Sequence, residues 1–363
     1  MDAEDRRTSD PAPEQLRELL EPDGIPRIER LGDYIRRYRE RYVFDTRTAL
    51  FDVRHQTSDE VVVLEGLVGN PGLKDGLVRS LSALGLTVRA ESLRAVTDTQ
   101  ASGDRYALVS VSRSFLCASP DLGAEAIDET LLGEPLILME GTARPASILV
   151  QGQCGYLGWI SDSDIRIVDR ETWRLWHCEE RVIFDCEMEL GQFAVPIGAE
   201  LPVRNGDIYL PDQTSVSLPD GLKPIGLLES RNRRNEIVRR AESLLGTKYV
   251  WAGRSGAGLD CSGFVQMLYG RTGIHLPRDA DQQHLVGRVS ADPVWRNDLA
   301  PGDLLFFTGP MGNITHVGIS TGELEFIHAK GGSGVVRGSF DHRSSDYNES
   351  LDHSFLVAKR IIQ

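Results

Sequence analysis

The chain has 363 residues and a 40% hydrophobic fraction, enough for two to four domains with cores of their own. Its 54 acidic against 40 basic side chains leave a formal charge of −14, which repels nucleic acid and anionic polymers and favours a peptide or small molecule as ligand. No apolar run approaches the length of a membrane span, so no membrane association is expected. The opening residues, Met1 to Pro11, lack the apolar stretch of a signal peptide. That predicts a cytoplasmic protein if the chain is full length, and a periplasmic or extracellular one if a signal was trimmed. Five cysteines (Cys117, Cys154, Cys178, Cys186 and Cys261) form an odd set without C-x-x-C spacing, which points to reduced thiols rather than a disulfide framework or a zinc cage. The basic runs Arg36–Arg41 and Arg231–Arg234 are short and interrupted, as solvated helix faces are.

In chain order, residues 1–27 read as a polar tail. An arginine-rich amphipathic helix is predicted from Ile28 to Tyr42, then strands at Leu50–Arg54 and Glu60–Val68. Asn70-Pro71-Gly72 breaks the pattern. Leu77, Val78, Leu81 and Leu84 then mark one side of a helix over 73–84, and Gly85 caps it before a strand at Leu86–Ala90. Residues 28–103 thus form a small α+β unit, whose pattern resembles the BON-type domain. From 104 the texture turns to short strands: Ala107–Val111, Gly133–Glu140, Ala146–Gln151 and Gly155–Ile160. Residues 104–176 resemble a bacterial SH3-like barrel, and 177–230 a divergent second copy through Arg181–Asp185, Val195–Val203 and Ser215–Gly221. Pro224–Asn235 would link them to the last region, 231–363.

That region carries the chemistry. Gly253 to Asp260 is a glycine-rich loop, and Cys261 follows it at the start of an apolar helix with Phe264, Val265 and Leu268 on one face. Only a thiolate attacks a carbonyl efficiently, and a helix N-terminus with a nearby imidazolium lowers the thiol pKa, so a reactive low-pKa Cys261 is expected. Ile314–Ser320 and Glu325–Ala329 alternate as two antiparallel strands across a short turn, each bearing a histidine. His316 would be the general base and His328 the group that orients it. A histidine on an apolar strand is also what ordinary packing produces; the combination with the loop–helix cysteine favours catalysis. Zinc held by Cys261, His316 and His328 would not need the loop or the helix start, so no metal and no cofactor is expected.

The ordered blocks Lys248–Gly253, Asp260–Phe264, Leu276–Arg278, Pro301–Leu304, His316–Ile319 and Ile327–Ala329 resemble the NlpC-type cysteine peptidases of bacterial cell-wall metabolism. The resemblance covers about the last third of the chain, with one departure: Ala252 stands where that family usually has glycine. It implies Cys261 as nucleophile, His316 as base, His328 as third member, and a papain-like α+β core. The whole chain would then be a multidomain α+β protein: the small N-terminal unit, two SH3-like barrels and the peptidase domain.

With barrels ahead of it, the chain is similar to the γ-D-glutamyl-L-diamino acid endopeptidases that cleave peptidoglycan stem peptides with a free N-terminal L-alanine. The substrate partner implied is a peptidoglycan-derived peptide, and a monomer is expected. The resemblance places Tyr249, Asp260 and Ser262 at substrate-binding positions, with Tyr156 from the first barrel and Glu125 or Glu129 as further candidates. Asp260 reads equally as a helix cap and Tyr156 as barrel packing. An amidase or acyltransferase on the same core, or a wall-binding protein without activity, are the alternatives.

Overall fold

The computed structural model describes residues 13–22, 27–58, 61–96, 105–139, 146–178, 180–222 and 230–362. Most of the expected tail and the segment 224–229 of the expected linker lie outside the described residues. The chain divides into two compact units, 1–102 with 139–141, and 103–138 with 142–363.

In the first unit, helices α1 (Pro13–Leu20), α2 (Leu31–Tyr42) and α3 (Pro71–Ala83) accompany strands β1 (Phe51–Ser58), β2 (Val61–Val68), β3 (Thr87–Arg89) and β4 (Leu93–Ala95). β1 and β2 form an antiparallel hairpin in continuous register from Phe51↔Val68 to Ser58↔Val61. β3 and β4 return parallel to β2 after α3, the connection a crossover helix permits. α3 starts where Asn70 Oδ1 accepts from Leu73 N at 2.9 Å, with Pro71 supplying a preset φ in the first turn. Its buried Leu77 and Leu81 join Leu31, Tyr34, Val62 and Leu64 in one core.

The second unit opens with a seven-stranded antiparallel sheet: β5 (Tyr106–Val109), β6 (Arg113–Cys117), β7 (Ala126–Leu131), β8 (Pro135–Leu138), β9 (Ser147–Gln151), β10 (Leu157–Ser161) and β11 (Ile165–Val168). The strand order is β11-β5-β8-β9-β10-β6-β7, around a core that includes Val109, Leu116, Leu136, Val150 and Ile160. A helix, α4 (Arg170–Cys178), follows where only strands and turns were expected. Trp173 and Trp176 sit one helical turn apart, and Trp176 packs into Leu108 and Val168. The segment is too short for its period to stand out among strands. Next come β12 (Glu180–Ile183), β13 (Met188–Leu190), β14 (Phe193–Val195), β15 (Glu200–Arg204), β16 (Asp207–Tyr209) and β17 (Ser215–Ser217). They form a β12-β15-β16-β17 sheet and a β13–β14 hairpin that share a core with Leu131 and Leu132.

The last part of this unit holds α5 (Ser230–Ser243), the short β18 (Arg254–Ser255) and β19 (Gly258–Leu259), α6 (Cys261–Gly270) and α7 (Ala280–Gln283). A six-stranded antiparallel sheet completes it: β20 (Arg288–Ala291), β21 (Leu304–Thr308), β22 (Ile314–Gly322), β23 (Glu325–Lys330), β24 (Gly334–Ser339) and β25 (Phe355–Arg360), with α8 (Glu349–Ser354) before the last strand. The order is β20-β25-β21-β22-β23-β24. On one face Val317, Ile319, Ile327 and Ala329 pack against Phe264, Val265 and Leu268 of α6. On the other, Leu305, Phe307, Phe326, Phe340 and Phe355 form a second cluster. With both faces covered, the central strands lose the apolar–polar alternation of a solvated sheet, as Leu304-Leu305-Phe306-Phe307 shows.

Candidate active site

The glycine-rich segment ahead of Cys261 is a tight hairpin: β18 and β19 pair at Arg254↔Leu259 and Ser255↔Gly258. Its closure aims the chain into α6, with Asp260 N donating to Gly253 O at 3.0 Å. Asp260 is the helix N-cap, its Oδ1 accepting from Gly263 N at 2.6 Å. Gly263 is obligatory for the approach, because a Cβ there would stand 2.1 Å from Gly253 O. Ala252 takes φ 64, the left-handed region that disfavours a Cβ.

Cys261 is the first residue of α6, and the backbone N–H groups of Val317 and Ser262 point at its sulfur. The strand that carries His316 thus meets the thiol directly through the next residue. His316 Nε2 and His328 Nδ1 are 2.8 Å apart, with the rings edge to face. Phe307 flanks His316 and Phe326 flanks His328, while Gly318 leaves room for His328 Cβ, 3.1 Å from where its own Cβ would stand. His328 is 2% exposed.

Burial sets the proton state of this group. It pushes the Cys261 thiol up to about 12, with the Asp260 charge adding to the rise and the Val317 N–H opposing it. His316 is pushed down to about 4 by burial and then by the Lys330 ammonium. His328 falls to about 3 through burial, the His316 charge and Lys330. The expected low-pKa thiol is therefore not what the fold presents. Burial thus works on both groups toward their neutral forms, against the lowering that the Val317 N–H exerts on the thiol.

Cys261 opens into a cavity of ≈ 500 Å³ lined by Glu125, Tyr156, Trp251, Asp260, Ser262, Arg278, Asp279 and Asp281, among others. Among the described lining residues the carboxylates outnumber the single cation, so the cavity suits a positively charged group. Three of the four expected substrate-binding residues, Tyr156, Asp260 and Ser262, reach the cavity together with Cys261. Tyr249 lies beside Cys261 and Asp260, whose charges, after burial, raise its hydroxyl pKa. Tyr156, in the turn just before β10 of the seven-stranded sheet, donates to Asp279 Oδ2 at 2.9 Å. Glu125 is on the lining, but Glu129 is not: it accepts from Arg254 N at 2.8 Å and Ser255 Oγ at 3.0 Å, gripping the hairpin. Four of the named lining residues carry no role from the sequence: Trp251, Arg278, Asp279 and Asp281. Arg278 lies within a motif block, and Asp279 forms a capping box with Gln282 that signals the start of α7. Among the described residues no His, Cys, Asp and Glu cluster is arranged to hold a metal ion.

A thiol at a helix start, backed by an imidazole pair on the antiparallel sheet that the helix packs on, defines a cysteine peptidase. Residues 246–355 match the sequence model of the NlpC/P60 family. Over 122 residues the chain is 41% identical to the Escherichia coli protein named "Probable endopeptidase NlpC", covering 33% of this chain and 73% of that one. It is 37% identical over 227 residues to the Bacillus cereus "Gamma-D-glutamyl-L-lysine dipeptidyl-peptidase", covering 55% of this chain and 66% of that enzyme. A crystal structure of an NlpC/P60 family protein from Bacillus cereus superposes with a TM-score of 0.59 at 19% identity, over 71% of this chain and 100% of that one, and so shares the fold. The chain belongs to the NlpC/P60 family.

Proposed function

We propose that the protein hydrolyses the bond between γ-D-glutamate and an L-diamino acid in peptidoglycan-derived peptides whose N-terminal L-alanine amine is free. The observation that carries this reading is the acidic cavity at Cys261. A peptide ammonium seated against Asp279, Tyr156 and Glu125 would direct the side-chain acyl group of the second residue toward the sulfur, and carboxylate–ammonium pairs are the stronger kind of hydrogen bond. The relative named for a γ-D-glutamyl-L-lysine dipeptidyl-peptidase activity supports the same bond. Residues 104–176 and 177–230 act in this account as two SH3-like barrels, the first supplying Tyr156 and Glu125 to the cavity wall, and 231–363 as the peptidase domain. Tyr249 and Ser262 flank the reacting carbonyl.

In the mechanism, His316 takes the tautomer protonated at Nε2, which donates across the 2.8 Å contact to His328 Nδ1 and leaves His316 Nδ1 able to accept a proton. As the Cys261 sulfur attacks the γ-carbonyl carbon, its proton passes to His316, and the oxyanion forms at the positive end of α6. Collapse breaks the C–N bond, and His316 returns that proton to the leaving α-amine. Water, deprotonated by His316, then hydrolyses the thioester and releases the dipeptide acid and the free thiol. His328 holds the imidazole in the working tautomer throughout.

The test compares kcat/KM for the free-amine tripeptide and its N-acetylated twin. The native enzyme should prefer the free amine by at least about tenfold, the order of one charged hydrogen bond. Asp279→Asn should remove most of that preference through KM. Equal rates on both peptides in the native enzyme would refute the amine gate.

A further inference from the structure

Arg278 is a buried charge on the cavity wall, with 1% of its surface reaching solvent. Its Nε donates to Asp128 Oδ1 at 2.6 Å and its Nη2 to Asp260 Oδ2 at 2.6 Å. Nη1 donates to Ser262 Oγ at 2.8 Å and to Asp260 Oδ1 at 3.2 Å. Asp128 is fully buried on β7 of the seven-stranded sheet and also draws the Arg254 guanidinium (3.4 Å) and the Cys154 thiol (3.8 Å). Asp260 caps the helix that starts at Cys261. Polar contacts therefore run unbroken from the sheet to the first turn of α6. A planar fork shared between two carboxylates is geometry that arginine supplies and lysine does not.

We propose that Arg278, anchored by Asp128, is a positioning residue that holds Asp260 and Ser262 in register at the start of α6 and offsets the Asp260 charge beside the nucleophile. The inference rests on Cys261 being that nucleophile. Asp260 sits one residue from the sulfur, and an unpaired carboxylate there would oppose the thiolate that forms during attack. Its two oxygens are instead taken up by Arg278, Gly263 and Ser262, which also accounts for why the amine is assigned to Asp279. The directions agree: Asp260 raises the thiol pKa and Arg278 lowers it. The other ionisable groups around Cys261 are Tyr249 ahead of the hairpin, Asp279 and Asp281 at α7, Glu125 across the cavity, and His316 of β22 with His328 behind it.

Alkylation of Cys261 by iodoacetamide, followed by mass spectrometry of the Cys261 peptide over a pH series, reads the ionised fraction, because the thiolate is the reacting form. Arg278→Gln is expected to slow alkylation about tenfold at a given pH, the change that one unit of thiol pKa brings. Adding Asp260→Asn to the same chain is expected to restore the rate, since the charge to be offset is gone. Damage to packing or to the helix cap would instead make the double variant worse. An unchanged rate in Arg278→Gln, or no recovery in the double variant, overturns the proposal. Arg278→Lys keeps the charge without the fork, and carries the test if Arg278→Gln does not fold. Its alkylation should stay near the native rate while kcat drops at least about tenfold with KM little changed, a loss of alignment rather than of binding; native kcat in that variant overturns the proposal. Alkylation needs no peptide, so an error in the assigned substrate would leave this readout intact.

Discussion

At Cys261 two effects oppose each other: the dipole of α6 favours the thiolate, and removal of the sulfur from water favours the thiol. Burial pushes the thiol up to about 12. Ionisation then waits for the base, and the residues around the sulfur matter for how they act on the transition state. Ala252 is a second residue whose local conformation conflicts with its chemistry. It holds φ 64 in a buried turn three residues after Tyr249, where a glycine would sit without strain. Ala252→Gly is expected to stabilise the protein by about 1 kcal/mol, the left-handed penalty less the extra entropy of the unfolded glycine chain, with kcat unchanged. Chemical denaturation of the two variants reads this directly; a glycine variant less stable than the native chain would show that the turn carries no strain.

At the scale of elements, the site depends on β22 and β23 keeping His316 and His328 in contact, with Lys330 two residues further along the His328 face. His316 falls from its ordinary 6.5 to about 4, so the neutral imidazole proposed as the base is present above that value and is lost as pH drops through it. The acid limb of kcat/KM should lie near pH 4 rather than 6.5. Lys330→Met removes a repelling charge and should move that limb upward. A limb already at 6.5 in the native enzyme would contradict the buried neutral pair. The same shift links to stability: the unfolded chain takes up these protons first, so the contribution is complete above 6.5 and fades as pH falls through the folded values.

Much of this arrangement can be read from the residues, because it is local. A cysteine after a glycine-rich hairpin is a pattern of about ten residues, and the two histidines stand 12 residues apart on adjoining strands. The Asp128–Arg278 pair escapes such a reading, since it joins positions 150 residues apart, on a sheet strand and in the approach to α7. Helix α4 escaped it through its length of nine residues, and the proton state of Cys261 because burial is a property of the folded unit. Glu129, a candidate for the substrate, turned inward to the hairpin backbone instead.

Across the whole molecule, Cys261, both histidines, the cavity and the Arg278 network all fall within the second compact unit. The sheet of β5–β11 belongs to the site through Tyr156 and Asp128. The net charge of −14 fits a ligand that presents an ammonium better than an anionic polymer, and the acidic cavity repeats that preference locally. Among the described residues no helix is long and apolar enough to cross a membrane. The most direct measurement of the central claim is mass spectrometry of the products from L-Ala-γ-D-Glu-meso-diaminopimelate, with the native enzyme and with Cys261→Ala. The native enzyme should yield L-Ala-D-Glu and free diaminopimelate, and the folded variant should leave the peptide intact. Release of free L-alanine, or undiminished cleavage by Cys261→Ala, would contradict that claim.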